Sequence, residues 1–259
     1  MPSIFAYQSA EVDWCERNFE HSENIAEYYN TYSSIIFFIL SPVILKLNVD
    51  YVNYRPEPLR CFSVMQMLIG LFSIYFHMTL SYVGQLLDEL SILWGLSVCY
   101  GCWFPPRYFP GFIKNREQFL WLLAVMTILC TFLSFVKPVF NAYLLNCIAL
   151  HLFYMTYLEL RGCNNPRVHH LAVSMAILWG IAISCWLVDK LLCGFCQKIN
   201  FTYFHSLWHI FIAISVQHCI TLVIYFDVLF RAPGTQPQIV HWPCASSPVT
   251  LPYLSLQKP

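Results

Sequence analysis

The stretch Ser73–Asp88, SIYFHMTLSYVGQLLD, decides how the rest of the chain is read. Ser73 and His77 are four residues apart and so share one helix face. Asp88 follows after a short break. The neighbours are almost all apolar, which places these polar groups at or inside a membrane boundary. An Asp at the centre of a membrane helix costs about 2.5–3.5 kcal/mol on insertion scales, so an ionisable group there marks a functional site. Near the other end of the sequence, His205 and His209 repeat the i, i+4 spacing.

Composition agrees with a membrane setting. The chain has 259 residues, 58% hydrophobic, 17% aromatic and 11% charged. A soluble domain usually carries about 25% charged residues. Apolar runs long enough to cross the bilayer recur along the chain, which predicts an all-α integral membrane protein. Seven spans are expected, at 31–47, 60–81, 86–104, 119–136, 139–158, 168–188 and 204–230. Links 2–3 and 4–5 are very short and predict tight antiparallel hairpins. Pro42 is expected to kink the first span, and Pro138 opens the fifth, where its missing N–H does no harm. The first 28 residues are polar and acidic, so no secretory signal is read there. Fourteen basic residues balance fourteen acidic ones, which leaves no overall basic footprint for nucleic acid.

Orientation follows from the distribution of Lys and Arg. The side with the N-terminus has four basic residues, and the side with the C-terminus has ten. This predicts a lumenal N-terminus and a cytosolic C-terminus. Residues 1–30 then form a lumenal acidic segment, 31–230 the seven-span bundle, and 231–259 a Pro-rich cytosolic tail read as disordered. Most of the twelve cysteines lie in apolar runs, where a small buried apolar residue is the plain reading. The C-x-x-C pairs at Cys99–Cys102 and Cys193–Cys196 lack a second pair at zinc-ribbon spacing. Cys15 and Cys193 stand outside the runs, both on the oxidising side, where a disulfide can form. The sequon Asn200-Phe-Thr202 lies too close to the last span to be expected in use.

Topology brings the polar residues to one depth. His77 ends a span running toward the lumen, Asp88 begins one leaving it, and His205 and His209 open the last. Three imidazoles with an open fourth position suit catalytic zinc. Zinc would acidify water and polarise a carbonyl. Asp88 is placed to take the water's proton, and Ser73 to donate to a developing oxyanion. A nucleophilic Ser73 would need a base, and the histidines are committed to metal. A lone His in a span is more often a helix contact, and His151 and His218 are read that way. The N-terminal DWCERNFEHSENIAEYYN offers the hard oxygens of Asp13, Glu16, Asn18, Glu20, Glu23 and Glu27, which suit calcium. Its spacing is not that of an EF-hand, and a solvated acidic segment is the alternative.

DWCERN with IAEYYN, SxxxH with MTLSY and QLLDEL, WxxD at 186–189 with Cys193, and the final H-x-x-x-H resemble the alkaline ceramidases over about residues 10–230. The resemblance implies a seven-span fold shared in outline with the adiponectin receptors. It implies hydrolysis of the ceramide amide to sphingosine and a fatty acid, in the membrane of the endoplasmic reticulum or Golgi. It carries zinc onto His77, His205 and His209, with Ser73 and Asp88 in the active site. It carries calcium onto Asp13, Trp14 through its carbonyl, Glu16, Asn18 and Glu27, and a disulfide onto Cys15 and Cys193. Ceramide and membrane lipid are the expected partners, with no obligate protein partner evident. Two rivals remain: a receptor of the adiponectin-receptor type, and a hydrolase of ester-linked lipids.

Overall fold

The computed structural model describes residues 3–137, 139–243 and 250–257. Pro138, expected to open the fifth span, lies outside them. The chain folds as a helical bundle with a short C-terminal hairpin. Its helices are α1 (Tyr28–Ser33), α2 (Ile35–Leu47), α3 (Val49–Tyr54), α4 (Pro56–Thr79), α5 (Tyr82–Trp103), α6 (Arg116–Val136), α7 (Val139–Leu160), α8 (Pro166–Leu191), α9 (Cys193–Lys198) and α10 (Phe204–Arg231). Among the described residues, five segments are long and apolar enough to cross a membrane: Tyr28–Leu47, α4, α6, α8 and α10. The remaining long helices, α5 and α7, have 22 residues each, about 33 Å at 1.5 Å per residue. α2 continues through Pro42 to Leu47.

Local chemistry explains the ends. Asn115 caps α6 by accepting from the Gln118 amide at 2.9 Å, and Asn165 caps α8 by accepting from the Arg167 amide at 3.0 Å. Pro56 and Pro166 open α4 and α8, where no N–H is needed.

The α4–α5 link consists of two residues. Leu80 takes a left-handed conformation with φ 47°, and the Ser81 hydroxyl accepts from the Gly84 amide at 3.1 Å. The reversal lets the two helices pack closely. A Cβ on Gly84 would lie 2.9 Å from the Phe76 Cα, so glycine permits the approach. Ser73 and Asp88 are equally far in sequence from this turn, and the antiparallel pairing therefore sets them level. α10 packs most extensively along α8, which brings the start of α10 next to the end of α8.

The segment read as a disordered tail instead carries an antiparallel hairpin. β1 (Gln236–Trp242) pairs with β2 (Leu251–Gln257), with Ile239 opposite Leu254. Pro237, Ile239, Pro252 and Leu254 are buried, and Ile239 and Leu254 join the core formed with α3, α4, α8 and α10. The Asn48 side-chain oxygen accepts from the Leu254 amide at 2.8 Å, and the Asp50 carboxylate from the Leu256 amide at 2.9 Å. The proline count suggested disorder, but a two-stranded ribbon tolerates prolines at its edges. The alternation of buried residues supplies the docking face. Residues 244–249 and 258–259 of the expected tail lie outside the described residues.

Candidate metal centre

Three buried imidazoles meet at one end of the bundle. His77 comes from the last turn of α4, and His205 and His209 from the first turns of α10. One ligand nitrogen from each ring can be chosen so that all three lie within 4.8 Å of one another. The ring centres are 4.8–5.0 Å apart.

Surrounding groups orient the rings. His77 Nδ1 lies 2.5 Å from a Glu27 carboxylate oxygen, and His209 Nδ1 lies 2.7 Å from the Ser33 hydroxyl. His205 is held through its backbone amide, which donates to Asp189 at 3.2 Å, and its ring stacks on Trp14 at 3.8 Å. His77 Nε2 and His205 Nδ1 are buried with no hydrogen-bond partner among the described residues. His209 Nε2 has a contact of 3.5 Å to the Ser73 hydroxyl. Buried nitrogens left without partners are costly, and three converging imidazoles fit a divalent metal such as zinc. Outer carboxylate and hydroxyl partners on Nδ1 are the usual supports of such ligands.

Ser73 is buried one turn from His77. Its hydroxyl lies 2.9 Å from that of Ser34 and faces the carboxyl of Asp88 on α5. The Ser73 hydroxyl thus lies between the His209 ring and the Asp88 carboxyl.

The N-terminal segment packs over this end of the bundle. Cys15 and Cys193 form a disulfide with Cα atoms 5.2 Å apart. The Asp189 carboxylate accepts from the Cys15 amide at 2.8 Å as well as from His205. Gln85 of α5 accepts from the amides of Glu11 and Val12 at 2.8 and 3.2 Å.

The acidic residues of the segment are distributed unevenly. Glu16 accepts from the amides of Tyr29 and Asn30 at 2.6 and 2.9 Å, capping α1. Glu27 accepts from the Trp14 amide at 3.0 Å and the Asn30 side chain at 3.1 Å. Burial pushes the Glu16 carboxyl up to about 7, against the pull of the Tyr29 and Asn30 amides, and the charge of Glu27 adds to the rise. Burial likewise pushes Glu27 up to about 8, with Asp13 adding to it. Asn18 donates to both Asp13 oxygens at 3.2 and 3.1 Å, and its own side-chain oxygen is buried without a partner. Carboxylates crowded at the cost of their ionisation, beside an orphaned amide oxygen, fit a hard cation such as calcium. Trp14 enters this region through its amide and its ring. Glu20 pairs with Arg17 on the surface.

Relatives give this geometry a family. A family model described as Ceramidase matches residues 6–255. The chain belongs to the ceramidase family. It is 46% identical to alkaline ceramidase 1 of Homo sapiens, across 99% of this chain and 98% of that protein. It is 47% identical to alkaline ceramidase 1 of Mus musculus, across 100% of this chain and 95% of that protein. Identity to the alkaline ceramidase of Drosophila melanogaster is 38%, across 97% and 89%. At this identity and coverage the chain is an enzyme of that family.

Within this family member, several site residues were not singled out by sequence reasoning in the roles they hold here. Glu27 was read for calcium and also supports His77. Asp189 entered only as part of a motif, although a carboxylate inside an apolar run is a signal in its own right. Ser33 had no such signal, because serines are common at span ends.

Proposed function

We propose that this enzyme is an intramembrane, zinc-dependent, calcium-supported amidohydrolase that cleaves ceramide to sphingosine and a free fatty acid. Ceramide as substrate comes from the named relatives. The observation that carries the chemistry is the convergence of His77, His205 and His209, with the Ser73 hydroxyl between His209 and the Asp88 carboxyl.

His77, His205 and His209 would hold the zinc. Bound there, zinc supplies Lewis acidity, polarising an acyl carbonyl and making water a stronger acid. The chain's own groups do the rest. Asp88 takes the proton lost by the attacking water onto its carboxylate and delivers it to the departing sphingoid nitrogen as the C–N bond breaks. Ser73 donates its hydroxyl proton toward the carbonyl oxygen as that oxygen gains charge. Glu27 and Ser33 hold the rings of His77 and His209, and Trp14 covers His205.

Calcium is assigned to Asp13, the Trp14 carbonyl, Glu16, Asn18 and Glu27. Glu27 and Trp14 each touch a zinc ligand, so calcium would fix the segment that holds the zinc site. The Cys15–Cys193 bond ties this segment to the end of α8. We assign seven spans, counting α5 and α7, with the N-terminus lumenal and the C-terminus cytosolic, in the endoplasmic reticulum or Golgi membrane. The excess of Lys and Arg on the C-terminal side supports that orientation.

Purified protein should release free sphingoid base from ceramide. His205→Ala and Asp88→Ala should each abolish release at normal expression, and full activity of Asp88→Ala would end the general-base assignment. Metal analysis should find about one zinc and one calcium per chain. Exchanging calcium for magnesium should lower activity, and an unchanged rate would end the calcium assignment.

A further inference from the structure

A second polar cluster lies at the opposite end of the bundle. Asp227 follows His209 on α10 by eighteen residues, about 27 Å along the helix. Arg55 and Arg231 both bind its carboxylate at 2.9 Å. The Tyr51 hydroxyl donates to it at 2.7 Å and accepts from the Trp103 indole at 2.8 Å. Arg107 pairs with Glu159. Arg116 has no carboxylate partner among the described residues. It reaches the Gly101 carbonyl at 3.4 Å and lies over the Phe109 ring at 5.1 Å. Four guanidinium groups therefore share two carboxylates.

All of these charges except Arg55 edge an open cavity of about 110 Å³ between α5, α6, α7 and α10. Arg107, Arg116 and Arg231 contribute to its lining, and most of the remaining wall is apolar. Three guanidinium groups and two carboxylates line the hollow, and an apolar hollow edged by this one excess positive charge favours a ligand with an acyl chain and an anionic head. A soluble anion would leave the apolar wall unused, and a neutral lipid would leave the positive charge unmatched.

We propose that this cavity binds an anionic membrane amphiphile, with its head at Arg116 and Arg231 and its chain along Leu152, Met155, Val223 and Phe226. The site is separate from the metal centre. In the proposed orientation it opens on the cytosolic leaflet, which is the one enriched in anionic lipid. Two sources share the chemistry: a free fatty acid, which the proposed reaction produces, and an anionic phospholipid of the bilayer.

The test is a thermal-unfolding titration of the full-length protein in neutral detergent with oleate, dioleoyl phosphatidylserine or dioleoyl phosphatidylcholine. At least one anionic lipid should raise Tm in a salt-sensitive way, and phosphatidylcholine should not. Oleate acting alone assigns the site to the fatty acid, and phosphatidylserine acting alone assigns it to the phospholipid. Arg116→Gln strands no carboxylate and should weaken the anionic titration about tenfold. Leu152→Trp fills the cavity and should do the same, while His205→Ala should leave the titration intact. Equal stabilisation by phosphatidylcholine would overturn the proposal. So would unchanged titration in both Arg116→Gln and Leu152→Trp, or loss of the titration in His205→Ala alone.

Discussion

A Glu27 carboxylate oxygen lies 2.5 Å from His77 Nδ1, both groups are fully buried, and fifty residues separate them in the chain. Glu27 closes the N-terminal segment just before α1, and His77 ends α4. The contact makes that segment part of the candidate metal centre.

Glu27→Gln tests the contact directly. The amide keeps the shape but replaces a group that can ionise beside the imidazole with one that cannot. Zinc affinity should fall about 10–100-fold, read by competition with a chromogenic chelator. Wild-type affinity would mean that the pairing does not tune the ligand.

Asp189 binds two buried backbone amides, those of Cys15 and His205. Asp189→Ala orphans both, at about 1–3 kcal/mol each. Thermal unfolding should shift down accordingly, and activity should fall with it. Asp189→Asn keeps one acceptor oxygen and should recover part of both. Equal stability of the two variants would show that the amides find other partners.

Gly84 stands where a Cβ would come within 2.9 Å of the Phe76 backbone. Gly84→Ala should force α4 and α5 apart, at a cost of about 1–3 kcal/mol. Ser73 and Asp88 lie on opposite sides of that contact. Turnover should therefore drop severalfold while zinc content, measured on the same sample, stays at the wild-type level. Loss of zinc together with activity would indicate wider damage to the bundle.

Removing residues 233–259 deletes the hairpin, bares the surface that Ile239 and Leu254 cover, and takes the partners of Asn48 and Asp50 away. The truncated protein should melt several degrees lower while keeping measurable hydrolysis at low temperature. The metal centre is at the far end of α10 and should keep its zinc. An unchanged melting point would return the tail to a passive appendage.

Much of the candidate site was legible because ionisable groups in apolar runs are conspicuous one residue at a time. His77, Asp88, His205 and His209 stand out that way. The helical spacing of His205 and His209 and the short α4–α5 link gave their relative depth. The tail was misread for the converse reason. Its prolines are a local signal of disorder, and the partners that order it, Asn48 and Asp50, are some two hundred residues away in the chain.

Taken alone, the order of amino acids determined a helical membrane bundle and the residues able to ligate a metal, since burial cost and helical period are properties of short stretches. Only the tertiary structure decided that Glu27 faces His77, that Ser33 holds His209, and that one carboxylate at Asp189 serves both Cys15 and His205. Each of these contacts joins segments that share no periodicity. They arise when close helix packing brings the groups within hydrogen-bonding reach, and nothing in either segment alone specifies its partner.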